Sequence, residues 1–183
     1  MNRFTTCLLA GLALVLSATA TAAPGKRPGG DSIVDIAVSD GRFTTLVDLV
    51  VAAGLADTLS SAGQFTVFAP TDDAFGVDAT TLIGVVTGVC GSEEAALAAL
   101  TNVLLYHVTD GRRFSNSVIN RNNSKPIEML NGSYVLATPG LMIIDENTDT
   151  PDANIVTGLF DISASNGVVH VIDQVLFPAE LCL

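Results

Sequence analysis

Histidine, cysteine and basic side chains are scarce in this chain, and each shortage removes a class of function. The two histidines are His107 and His170, and of three cysteines one, Cys7, lies near the very start. A catalytic zinc takes about three protein ligands and keeps one position open. Two imidazoles and two cysteines expected to be oxidised do not make such a set, so no metal site is expected. The Gly-x-Ser-x-Gly elbow of a serine hydrolase is missing, and so are the Gly-rich loops that cradle phosphates. Eight Lys and Arg stand against 19 Asp and Glu, a formal net charge of −11. A field of that sign disfavours nucleic acid and anionic lipid surfaces. After the N-terminal apolar run no segment reads as a membrane helix. These shortages argue against catalysis and against a cofactor, and leave binding.

What is present starts with a leader. Met1-Asn2-Arg3 is basic, Cys7 to Ala18 is apolar, and Ala20-Thr21-Ala22 has the small-x-small pattern of a cleavage site. This is a secretory signal peptide over residues 1–22, cleaved near Ala22. Residues 23–30 read as a disordered Gly/Pro linker and 31–183 as one domain. The mature protein is then expected to be secreted or periplasmic. Loss of Arg3 with the leader takes its charge to about −12. Cys90 and Cys182 survive cleavage, and in an oxidising compartment an even pair forms one disulfide. Two small buried thiols are the alternative.

The organising stretch is Phe65-Thr66-Val67-Phe68-Ala69-Pro70-Thr71-Asp72-Asp73-Ala74-Phe75. Alternation puts Phe65, Val67 and Ala69 on one strand face and Phe68 on the other. Pro70 has no N–H for the ladder and ends the strand. Thr71 is placed to cap a helix whose first turn holds Asp72 and Asp73, with Pro70 and Phe75 as a hydrophobic staple. Before it, Asp31 or Ser32 caps a helix through Ile33 to Ala37, and a second helix buries Phe43, Leu46, Val47, Leu49 and Val50. After it come a short helix with Leu82, Val85 and Val86 inward, then a longer one from Ser92 with Leu97, Leu100 and Leu104 on one side. Arg112 to Lys125 is polar and reads as a surface excursion. The last third alternates like strands, with hairpin signals at Asn131-Gly132 and Asn166-Gly167. Helices first and strands later predict an α+β fold.

Three pieces, Phe65–Phe75, Leu104–Val108 and Asn166–Pro178, stand in an order and spacing that resemble the fasciclin (FAS1) domain. The first resembles one of its signature segments, the second its tyrosine–histidine motif, and the third its other signature segment. The resemblance implies a FAS1-like β-wedge, two packed and mostly antiparallel sheets with N-terminal helices, in a secreted or surface-bound protein without a common catalytic activity. It also implies adhesion, with a cell-surface or matrix protein or polysaccharide as partner. A soluble carrier of an apolar small molecule, such as the carotenoids that some algal relatives bind, is the alternative.

Candidate sites follow. Leu105, Tyr106 and His107 match the motif that meets partners in animal members and are the candidate binding residues. Pro70, Thr71, Asp72, Phe75 and His170 are expected to be structural. His170 is in phase with Val168 and Ile172 on a buried face, and a neutral buried imidazole needs a partner, for which Thr71 or Asp72 are candidates. Asp145, Asn147 and Asp149 mimic the opening of a calcium loop. Thr150 replaces its glycine and Val156 its bidentate Glu, so a solvated hairpin loop is the better reading.

Overall fold

The computed structural model describes residues 30–61, 63–119, 122–148 and 150–182. The expected leader, its cleavage site and the linker up to residue 29 lie outside them. The chain begins with three helices: α1 (Ile33–Asp40), α2 (Thr44–Ala52) and α3 (Ala56–Ser60). Ser32 caps α1 through a capping box with Asp35, and Gly41 closes it with a left-handed φ of 75°, a geometry that a Cβ disfavours. Strand β1 (Phe65–Pro70) leads into α4 (Asp72–Phe75), α5 (Ala79–Cys90) and α6 (Glu93–Tyr106). Strand β2 (Val108–Asp110) and one turn, α7 (Ser115–Val118), precede β3 (Lys125–Glu128), β4 (Tyr134–Ala137), β5 (Met142–Ile144), β6 (Ala153–Asn154), β7 (Ile162–Ala164) and β8 (Gly167–Ile172).

The strands form two sheets, in the orders β2-β1-β8-β7 and β3-β4-β5-β6. All pairings are antiparallel but one: β1 and β8 run parallel from Phe65↔Gly167 to Pro70↔Ile172. Parallel strands need long connections and both faces covered, and this pair has both. Val67, Ala69, Val169 and Val171 face a core shared with α1–α3, α5 and α6. Phe68 and Ile172 face a second core with Ile127, Val135 and Ile143 of the other sheet. The fold is therefore α+β in three layers, helices on sheet on sheet. The expected faces of β1 and the phase of His170 match it. His170 is 0% exposed and stacks on Phe68 with ring centroids 5.7 Å apart.

Several local expectations are corrected. Thr71 occupies the N-cap of α4 but makes no side-chain capping bond. Asp72 turns back to cap α2 instead: its carboxylate accepts from the N–H groups of Thr44 (3.2 Å) and Thr45 (2.7 Å) and from the Thr44 hydroxyl (2.7 Å). Burial acts to raise the Asp72 pKa, and these donors outweigh it and leave it below the usual carboxylate value. Since Phe43 at the N-cap of α2 offers no side-chain acceptor, Asp72→Ala is expected to cost about 1–2 kcal/mol in urea unfolding at pH 7; Asp72→Asn will cost less. Pro70 is buried as the last rung of β1, and Phe75 lies beside Leu46 and Leu49 along a cavity wall.

Val85, expected inward, is 58% exposed, because α5 packs along the arc of Ala79, Leu82, Ile83, Val86 and Cys90. The polar segment from Arg112 is tied down rather than an excursion. Val118 is fully buried, and the Arg112 guanidinium donates to the carbonyls of Ala164 and Gly167. His170 does not meet Thr71 or Asp72. Its Nε2–H donates to the Arg113 carbonyl (2.8 Å) and its Nδ1 accepts from the Asp161 N–H (3.3 Å). Asp161 in turn accepts from the N–H and hydroxyl of Ser115, so His170 pins the turn α7 from inside. Burial lowers its pKa and keeps it neutral.

The sequence reading expects no membrane helix after the leader, yet by length and composition Asp72–Cys90 is apolar enough to cross one. In the fold it is two helices broken at Gly76, whose φ is 66°. The 12 residues of α5 reach about 18 Å, short of a bilayer core of about 30 Å. Cys90, at the end of α5, is bonded to Cys182 with a Cα–Cα distance of 5.6 Å. In the chain-entropy description a link of that span contributes about 4–5 kcal/mol.

Candidate functional site

Helix α6 ends in Leu105-Tyr106 and passes through His107 into β2. Ser92 starts it by accepting from the Ala95 N–H, with Glu93 and Glu94 at the positive end of its dipole. Alanines and leucines then bury one side, so its last turn is driven into the junction between the two cores. Tyr106 is 0% exposed and belongs to the core between the sheets. Its hydroxyl donates to the Tyr134 carbonyl at 2.8 Å and accepts from the Glu146 N–H at 3.1 Å. One phenol thereby holds the start of β4 against the segment after β5. Burial pushes its pKa well above the ordinary value, so it remains a donor at physiological pH.

His107 is 2% exposed. Its Nδ1–H donates to the Val103 carbonyl at 2.8 Å, and its Nε2 accepts from the Leu176 N–H at 3.0 Å. It joins the end of α6 to the C-terminal segment. Burial lowers its pKa to about 4, which keeps the imidazole neutral. Leu105, on the same last turn, is half-buried. Tyr106 and His107, the expected binding residues, are thus both buried, with their polar atoms bonded to main-chain groups inside the protein.

What Tyr106 supports does reach the surface. On β4 and β5 the side chains alternate: Val135, Ala137 and Ile143 are buried, whereas Tyr134 is 50% and Met142 37% exposed, with Leu136 and Ile144 part-exposed beside them. Leu136 pairs with Ile144 and Tyr134 with Glu128 across the ladder. The Tyr134 N–H donates to the Glu146 carboxylate at 3.2 Å. The outer face of this sheet is therefore an apolar strip edged by Glu128 and Glu146. Sequence reasoning missed it although its signal was present: Tyr134-Val135-Leu136-Ala137 is apolar on both faces, more than a strand with one wet face requires.

The acidic loop after β5 is not simply solvated. Asp145 accepts from the N–H groups of Asn147 (3.0 Å) and Phe177 (2.9 Å), and burial raises its pKa. Thr150 and Pro151 line the same cavity as Phe75. Among the described residues no group of three or more His, Cys, Asp or Glu is placed to hold a metal ion; Asp149 lies outside them.

The family model of the Fasciclin domain matches residues 41–178. The chain belongs to the Fasciclin domain family. It is 39% identical over 145 residues to the protein sll1735 of Synechocystis sp., a match that takes in 79% of this chain and 96% of that protein. It is 31% identical over 163 residues to human periostin, covering 84% of this chain and 17% of periostin. Among solved structures, the FAS1 domain pair of the insect cell adhesion molecule Fasciclin I superposes with a TM-score of 0.61 at 15% identity, over 84% of this chain and 53% of that one. Two of the signature segments of this Fasciclin domain are the parallel pair β1 and β8, and its tyrosine–histidine motif is the buried joint described above.

Proposed function

We propose that this Fasciclin domain works outside the cytoplasm, secreted or periplasmic after loss of its leader, as a non-catalytic adhesion module for a cell-surface or matrix protein or polysaccharide. The observation that carries this reading is the exposed strip of Tyr134, Leu136, Met142 and Ile144. Apolar side chains that lie contiguous on a sheet face suit a partner better than they suit water, and tyrosine and methionine are favoured at interface cores. Glu128 and Glu146 form a polar, acidic rim. Tyr106 acts from behind by fixing the backbone of Tyr134, which gives the tyrosine–histidine motif an indirect part in recognition. Family membership and the likeness to an insect cell adhesion molecule agree with the reading. Among the described residues, two apolar cavities beside the helical layer measure about 130 and 40 Å³, too small for a carotenoid chain, so neither supports a pigment carrier.

The test is adhesion of envelope fragments from the source organism to surfaces coated with the mature protein. Tyr134→Ser combined with Met142→Lys is expected to abolish retention while stability stays within about 1 kcal/mol of the parent, because both side chains are exposed. Undiminished retention by this double variant would show that the strip is not the contact.

A further inference from the structure

Taking the outer strip as the contact, as proposed above, the surroundings of Tyr134 decide what charge its partner carries. Two carboxylates from different strands flank this residue. Glu128 stands directly opposite it on β3. The next rung is hydrogen-bonded, with the Met129 N–H donating to the Ser133 carbonyl at 2.9 Å. Alternation therefore makes Glu128–Tyr134 a non-hydrogen-bonded pair, the kind whose side chains stand closest. On the other side Glu146 accepts from the Tyr134 N–H at 3.2 Å, and the Tyr134 carbonyl is held by the Tyr106 hydroxyl at 2.8 Å. Tyr134, 50% exposed, thus rises from an anchored main chain between two exposed acids.

No cation of this chain meets those acids. Among the described residues no ion pair involves Glu128 or Glu146. The basic side chains nearby in sequence are turned to carbonyls: Lys125 to that of Ser117 (2.9 Å), Arg112 to those of Ala164 and Gly167, and Arg113 to that of Asp110. Asp145, the neighbouring acid, is bonded to the N–H groups of Asn147 and Phe177 and does not join the pair. Carboxylates on both sides of one ring repel each other, and a cation between them relieves the repulsion. The ring adds to the attraction, since a guanidinium stacks on an aromatic face while its edge bonds carboxylates. Leu136, Met142 and Ile144 continue from the ring as an apolar floor. The formal net charge of −11 steers a basic partner in the same sense.

We infer that the adhesion partner is a protein segment presenting an arginine between apolar residues, its guanidinium seated on the Tyr134 ring between Glu128 and Glu146. Two blocked pentapeptides are the probes, one with leucine–arginine–leucine at its centre and one with citrulline in place of arginine. Citrulline keeps the planar shape and removes the charge. In NMR titrations of the mature, disulfide-intact protein, the arginine peptide is expected to shift the Tyr134 ring and Met142 methyl resonances. The citrulline peptide is expected to bind about fivefold more weakly. Glu146→Gln retains an acceptor for the Tyr134 N–H, and combined with Glu128→Gln it is expected to abolish the preference for arginine while the urea midpoint stays that of the parent. Equal affinity for the two peptides, or a preference that survives both Gln substitutions, would overturn the arginine. Silence from both peptides with shifts from a neutral dextran oligosaccharide would make the occupant a polysaccharide instead. The two readings fail separately. Envelope retention by Tyr134→Ser/Met142→Lys removes the strip as the contact and its partner with it, whereas equal binding of the two peptides removes the arginine alone.

Discussion

Gly167→Ala is expected to prevent stable folding. Gly167 opens β8 opposite Phe65 on β1. A Cβ there would sit 2.2 Å from the Phe65 carbonyl oxygen and 2.6 Å from Ile33 Cδ1. The first neighbour is backbone in the central parallel ladder and has no rotamer into which to retreat. The second belongs to the first turn of α1, whose Ile33 N–H is held by the Asn166 side chain at 2.9 Å. Relief therefore requires β1 and β8 to part at the rung where α1 docks. Overpacking in a tight core costs about 1–3 kcal/mol, and values above about 4 accompany forced backbone movement; this site combines both. Circular dichroism and urea unfolding will read the loss. Gly84→Ala is the control, since a Cβ there meets nothing within 4 Å and helix propensity favours alanine by about 1 kcal/mol. A Gly167→Ala protein with native stability would mean that β1 and β8 do not pair in this register.

That glycine also shows where reading the sequence stops. Asn166-Gly167 carries a strong hairpin signal, and a turn is there, but the ladder pairs Ala164 with Gly167. The turn residues are thus Ser165 and Asn166, and Gly167 is needed for a neighbour about 100 positions away. Asn166 is equally a long-range device: its amide donates to the carbonyls of Leu59 and Ser61. Local features were legible because their causes are local. The Ser32 cap, the alternating faces of β1, the burial of His170 and the cysteine pairing follow from periodicity, capping chemistry and compartment. Partners brought together by the fold were not legible. Asp72 looks like a first-turn acid of its own helix and caps another; His170 finds Arg113 and Asp161 rather than the junction beside Pro70. The motif of Tyr106 and His107 lies behind the exposed strip and not in it. Its side chains hold together the main chain that the surface strip is built on, and burial of that kind is decided by tertiary packing, which a five-residue motif does not encode.

Acidification between about pH 6.5 and pH 4 is expected to remove about 3 kcal/mol of stability through His107 alone. In the unfolded chain its imidazole titrates near the ordinary value, about 6.5, whereas burial in the fold lowers it to about 4. Within that window the unfolded state binds the extra proton, so stability falls as pH falls; it is complete above the window and fully lost below it. The structural cause is specific, since a protonated Nε2 no longer accepts from the Leu176 N–H. That releases the C-terminal segment from α6. His170, also lowered by burial, acts in the same direction. Asp145, raised by burial, opposes them as it binds its proton early in the fold, and Asp72, held low, adds its own loss only at more acid pH. Urea unfolding at pH 7.5 and pH 4.5 measures the sum. His107→Leu separates the contribution of this imidazole. It will be less stable at pH 7.5 by about 2–4 kcal/mol, because the Val103 carbonyl and the Leu176 N–H lose their partner, yet the drop on acidification will be smaller than in the parent. An unchanged pH slope in this variant would assign the acid sensitivity to groups other than the joint between α6 and the C-terminal segment.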